Sequence, residues 1–117
     1  MTTPDATYSD GLIAVDGSSL VIRGYYFPFG GAKTVRLADV RQVVERPMGR
    51  WSGQWRIWGS SDFRHWWNLD VGRPHKTRAF AIDAGSRTRA AVTPDDPDAF
   101  GRALEAAGVA VRRVLEA

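Results

Sequence analysis

From Leu12 to Val92 the apolar residues of this chain fall on every second position, in short runs broken by glycine and proline. Successive side chains of a strand point to opposite faces, so this alternation marks strands with one buried face. Leu12-Ile13-Ala14-Val15 opens the series. Leu20 and Ile22 then alternate with Val21 and Arg23, and Val35 and Leu37 follow as an inward pair. Trp55 and Ile57 alternate with Arg56 and Trp58. Trp67, Leu69 and Val71 alternate with Trp66, Asn68 and Asp70, which places the second set outward. Phe80 and Ile82, then Ala90 and Val92, complete the inward set. The breaks carry turn chemistry: Asp16-Gly17, Pro28 with Gly30-Gly31, Pro47 to Gly53, Gly72 to Pro74, and Ala84-Gly85-Ser86. The pattern predicts about seven strands at intervals of about ten residues, an antiparallel barrel or sandwich.

The pattern stops at Thr93-Pro94-Asp95-Asp96-Pro97-Asp98. Proline is tolerated in a first helical turn, where its missing N–H would be unpaired anyway. Aspartate there accepts free N–H groups and suits the positive end of the helix dipole. Phe100, Ala103, Leu104 and Ala107 then share one helical face. These signals predict a single helix over about 96–107, capped by Thr93 and the aspartates, lying across an open side of the sheet. Gly108 suits a helix stop, yet Val109 to Leu115 is apolar enough to continue, and the sequence leaves that choice open.

The chain is long enough, at 117 residues, for one domain with an ordinary core. Residues 1–10 read as a polar, loosely attached lead-in, and 11–117 as the domain. With no cysteine, disulfides and thiolate metal sites are excluded. No apolar run is long enough to span a bilayer and no signal-peptide pattern opens the chain, so a cytoplasmic protein is expected. The net charge is +3, and all basic residues but Lys33 and Lys76 are arginine. These are scattered among acids, which fits composition bias better than a dedicated polyanion surface.

Three stretches carry a resemblance to a family. Leu20-Val21-Ile22-Arg23-Gly24 follows an Asp-Gly turn. Val35 to Val40 ends a strand in an apolar-x-x-Asp-apolar bend. Val92 to Phe100 leads into the last helix. In that order they resemble the small bacterial PH-like (pleckstrin-homology-like) domains of unknown role. The resemblance implies a mainly β fold, a seven-stranded antiparallel barrel capped by a C-terminal α-helix. It also implies a binding role, with homo-oligomers among the expected assemblies. Lys33 and Arg36 are the nearest match to a phosphoinositide-binding cluster and lack its fuller basic pattern, so an anionic membrane lipid is disfavoured as partner.

Residue chemistry argues against an enzyme. His65 and His75 have neither a nucleophile motif nor metal ligands at working spacing. Asp95, Asp96 and Asp98 read as caps, not as a metal cluster, and no phosphate loop or cofactor motif is present. The tryptophans say more. All five lie between Trp51 and Trp67. A hairpin centred on Asp62 would set Trp58 opposite Trp66 on the outward face, with Arg56 and Arg64 beside them. Trp and Arg are enriched at binding hot spots, so Trp58, Trp66, Arg56 and Arg64 form a candidate protein-docking or self-assembly face. The same indoles also fit a structural clasp. A nucleic acid is disfavoured, because Asp62 and Asp70 share that surface.

Overall fold

The computed structural model describes residues 7–25, 31–47, 59–60, 65–67, 70, 76, 78–85 and 89–114, with the backbone alone at 59, 60, 65 and 66. The fold is mainly β. Strands β1 (Thr7–Ser9), β2 (Ile13–Asp16), β3 (Ser19–Ile22) and β4 (Lys33–Arg36) form an antiparallel meander in that order. A second sheet combines β5 (Gln42–Pro47), β6 (Gly59–Ser60), β7 (His65–Trp67), β8 (Arg78–Asp83), β9 (Arg89–Val92) and β10 (Val111–Arg113). Its spatial order is β10-β5-β8-β9-β7-β6. Helix α1 (Pro97–Ala106) lies between β9 and β10 in the chain.

Three expectations need correction. The described residues form ten strands, not seven, and no ladder among them joins the sheets into a closed barrel. The second sheet is not all antiparallel, because β7 pairs with β9 and β10 with β5 in parallel. The lead-in of residues 1–10 also ends early, since Thr7–Ser9 pair with β2. The parallel ladders escape a sequence reading because alternation fixes which face a residue takes but not the direction of its neighbouring strand.

Local chemistry explains the turns. In the β2–β3 hairpin Ile13 pairs with Ile22 and Val15 with Leu20, which leaves Gly17 and Ser18 as the central residues. Gly17 sits at φ 94°, a left-handed conformation open to glycine at little cost. The Asp16 carboxylate accepts from the N–H groups of Ser18 and Ser19 at 2.9 and 2.7 Å and holds the turn. A 3-10 turn at Leu37–Asp39 realises the bend expected there and hands the chain from one sheet to the other. On one side of it Leu37 N–H donates to the Ser18 carbonyl at 2.9 Å. On the other, Arg41 N–H donates to the Asp83 carbonyl at 2.7 Å.

The main core follows the alternation. Leu20, Ile22, Val35, Leu37, Phe80, Ile82, Ala90 and Val92 are all buried in one cluster with Ile13, Val15 and Val43. Helix α1 adds Phe100, Ala103 and Leu104. Phe100 meets Phe80 of the second sheet edge-on at a centroid distance of 4.8 Å and Tyr8 of the first at 5.6 Å. The helix thus wedges between the sheets along one side.

The helix ends are chemically exact in sequence terms. Asp96 is the N-cap and accepts from Ala99 N–H at 3.0 Å, and Pro97 occupies the first turn. At the other end Gly108 N–H donates to the Glu105 carbonyl at 3.0 Å and Val109 N–H to the Leu104 carbonyl at 2.9 Å. With Gly108 at φ 91° this is a Schellman stop, sealed by Val109 and Leu104 in the core. The helix therefore does not run on past Gly108, and the next apolar residues become β10. Asp96→Ala is expected to lower stability by about 1 kcal/mol, measured as a shift in urea midpoint. A change too small to resolve would show that the cap does not hold the helix.

Candidate functional site

The tryptophan hairpin comes first, because the sequence points to it. Arg56, Trp58 and Arg64 lie outside the described residues, as do Trp55, Ile57, Leu69 and Val71. Trp66 is placed by its backbone alone. The ladder pairs Ser60 with Trp66 and Gly59 with Trp67. The hairpin is therefore centred on residue 63, not Asp62, and the direct partner of Trp66 is Ser60 and not Trp58. Strand β7 also pairs Trp66 with Ala90 and Trp67 with Ala91. Trp67 is buried as expected, but not in the main core. It clusters with Ala79 and Ala91, which alternate with the core residues Phe80, Ala90 and Val92 and so occupy the opposite face of the sheet. The hairpin forms one edge of the six-stranded sheet, with β6 outermost.

The carboxylates at the helix mouth have separate tasks. Asp96 caps the helix. Asp95 pairs with Lys76 at 2.9 Å, and Asp98 pairs with Arg78. The Arg78 guanidinium holds the Asp98 carboxyl below the usual carboxylate range. Among the described residues no group of three or more acidic or histidine side chains is arranged to hold a metal ion.

Thr93 is not a cap. It is buried, with its hydroxyl donating to Asp70 Oδ2 at 2.9 Å and its carbonyl accepting from Lys76 Nζ at 2.7 Å. Lys76 Nζ also lies 2.6 Å from Asp70 Oδ2. Asp70, expected outward, is only 5% exposed. Burial disfavours the Lys76 ammonium, but hydrogen bonds to Asp70 and Asp95 outweigh it and raise its pKa above the ordinary lysine value.

A clasp joins the first strand to the helix mouth. The Tyr8 hydroxyl donates to Asp10 Oδ2 and accepts from Asp96 N–H at 3.0 Å. Asp10 Oδ2 also accepts from Asp95 N–H at 3.0 Å, and Oδ1 accepts from Leu12 and Ile13 N–H at 2.8 and 2.9 Å. Burial alone would raise the Asp10 carboxyl, but these hydrogen bonds outweigh it and hold it below its usual value. A carboxylate with a depressed folded-state pKa adds stability above its unfolded value, about 3.9, and loses it as pH falls through the folded value. The urea midpoint of the wild type is therefore expected to drop more steeply below about pH 4 than that of Asp10→Asn. Parallel curves would remove Asp10 from the acid response.

A second charged centre was missed in the sequence. Glu45 lies on β5 at the same parity as the core residue Val43 and is 2% exposed. Arg78 Nη1 lies 2.8 Å from its Oε2, and Arg113 Nη2 lies 3.2 Å from its Oε1. The signal was present: a carboxylate at an inward position requires cationic partners from neighbouring strands. Beside it, α1, β5 and β10 enclose a half-open groove of about 360 Å³, lined by Glu45, Gly101, Arg102, Glu105, Val111 and Arg113 among others.

The basic residues closest to a phosphoinositide pattern are engaged locally. Lys33 lies over the Tyr25 ring at 5.2 Å, and Arg36 pairs with Asp39 at 3.0 Å. Residues 87 and 88 lie outside the described residues, and Arg89 stands 3.7 Å from Asp83. No protein-family model, curated protein or solved structure matches this chain.

Proposed function

We propose that the protein is a non-enzymatic binding module whose partner is a protein, copies of itself included, docked on the tryptophan/arginine hairpin. The observation that carries this reading is the place of the hairpin in the fold. Strands β6 and β7 form the outer edge of the six-stranded sheet, and the chain around them holds Arg56, Trp58, Arg64 and Trp66. An edge strand offers unpaired backbone groups, and Trp and Arg supply the side chains that anchor interfaces. The two sheets with a C-terminal helix also support a PH-like scaffold in part. The four-stranded meander fits that likeness, whereas the parallel ladders depart from it.

The competing reading, an anionic ligand such as nucleic acid or a lipid headgroup held by arginines, has less support. Its nearest candidates, Lys33 and Arg36, already have partners. Light scattering across a concentration series separates the two. Self-association that disappears in Trp58→Ala/Trp66→Ala supports docking through the hairpin. A monomer at every concentration removes self-assembly, and steeply salt-dependent retention on single-stranded DNA or anionic vesicles would favour the arginine reading.

A further inference from the structure

One carboxylate organises the β1–β2 turn, and each of its four bonding partners presents it a hydrogen. Asp10 Oδ1 accepts from the N–H groups of Leu12 and Ile13, and Oδ2 accepts from the Tyr8 hydroxyl and from Asp95 N–H. Tyr8 in turn accepts from Asp96 N–H, so its own proton is directed to Asp10. An ionised carboxylate only accepts, whereas a protonated one carries a donor. A proton on either oxygen therefore has to displace one of the four. The strand held in this way is short. β1 has three residues at the outer edge of the four-stranded sheet, and the Tyr8 ring rests edge-on against Phe100 of α1. Short edge segments open at lower free energy than core strands.

We propose that β1 is an acid-released strap: a proton on Asp10 frees it from the helix mouth while the core of the two sheets stays folded. Closed, the strap covers the edge of β2 and one side of the Phe100 ring; open, it bares both. The charged and titratable groups around Asp10 leave the switch to this carboxyl. Arg23 Nη1 approaches the carbonyls of Asp10 and Gly11 at 3.4 and 3.5 Å and stays a cation throughout. Burial raises the Tyr8 phenol; it opposes the Lys76 ammonium, which bonds to Asp70 and Asp95 nevertheless raise, so both groups keep their protons in acid. Asp95 and Asp96 offer Asp10 and Tyr8 their N–H groups, while their carboxylates bind Lys76 and Ala99 N–H. The strap belongs to the four-stranded sheet, apart from the tryptophan hairpin in the other.

The test follows through-space NMR cross-peaks between aromatic rings of the intact chain as pH is lowered. Tyr8 and Phe100 report the strap, with centroids 5.6 Å apart, and Phe80 and Phe100 report the core, at 4.8 Å. The Tyr8–Phe100 cross-peaks should disappear as pH falls below about 4, where a released aspartate takes up its proton. The Phe80–Phe100 cross-peaks should persist through that loss. In Asp10→Asn the side-chain amide brings hydrogens to the same donors, so the Tyr8–Phe100 cross-peaks should already be weak at neutral pH and no longer respond to acid. Asp96→Asn keeps an acceptor at the cap and should leave the acid response in place. The inference is overturned if the two sets of cross-peaks vanish together, if Asp10→Asn retains the wild-type acid response, or if Asp96→Asn abolishes it. The first comparison needs no substitution, so misfolding of either variant would not rescue the inference.

Discussion

Phe100→Ala is expected to lower stability by about 3–5 kcal/mol, the range for deleting a buried phenylalanine side chain. Phe100 is 0% exposed and is the ring that touches both sheets, with Phe80 on one side and Tyr8 on the other. Removing it leaves a void that neither sheet can fill without moving. Small domains are stable by about 5–15 kcal/mol, so the variant would keep only a fraction of its margin. Phe100→Leu retains most of the volume and is expected to cost less than half as much. Urea unfolding followed by tryptophan fluorescence reads both. A cost for alanine no greater than that of an exposed substitution, about 0.5 kcal/mol, would mean that the helix does not join the sheets.

The second large effect is expected at Lys76. Lys76→Met removes from the buried Asp70 carboxylate a cation that lies 2.6 Å from its Oδ2. Breaking a buried pair from one side costs about 3–5 kcal/mol, whereas replacing both members with apolar side chains is often close to neutral. Asp70→Leu/Lys76→Met should therefore be more stable than Lys76→Met alone. Asp95 is more exposed and also contacts Lys76, so Asp95→Ala should have the smaller effect. A strictly additive double variant would show that Asp70 and Lys76 are not coupled.

The parts of the fold legible in sequence are those decided locally. Asp96, Pro97 and Gly108 mark the helix ends because caps depend on a few adjacent residues. Leu20, Ile22, Phe80 and Ile82 declare their face because alternation is intrinsic to a strand. What was not legible depends on distant partners. Nothing in Val111–Arg113 reveals a strand until β5 lies beside it, and nothing in His65–Trp67 reveals that β9 runs parallel to it. Thr93 looked like a cap because it stands before a helix, but Asp70 and Lys76 claim it. Of the candidate docking face, the sequence supplied the residue types, while the edge position of the hairpin needed the ladder order.

The first strand is tied to the helix mouth: Tyr8 and Asp10 hold Asp95 and Asp96, and Val109 joins the core that includes Ile13. During synthesis, the core shared by the two sheets lacks its helical part until α1 has left the ribosome. Until α1 has been made, the cluster of Ile13, Leu20 and Ile22 lacks the cover of Phe100, Ala103 and Leu104, so the nascent chain is more open to misassociation before the helix emerges than after it.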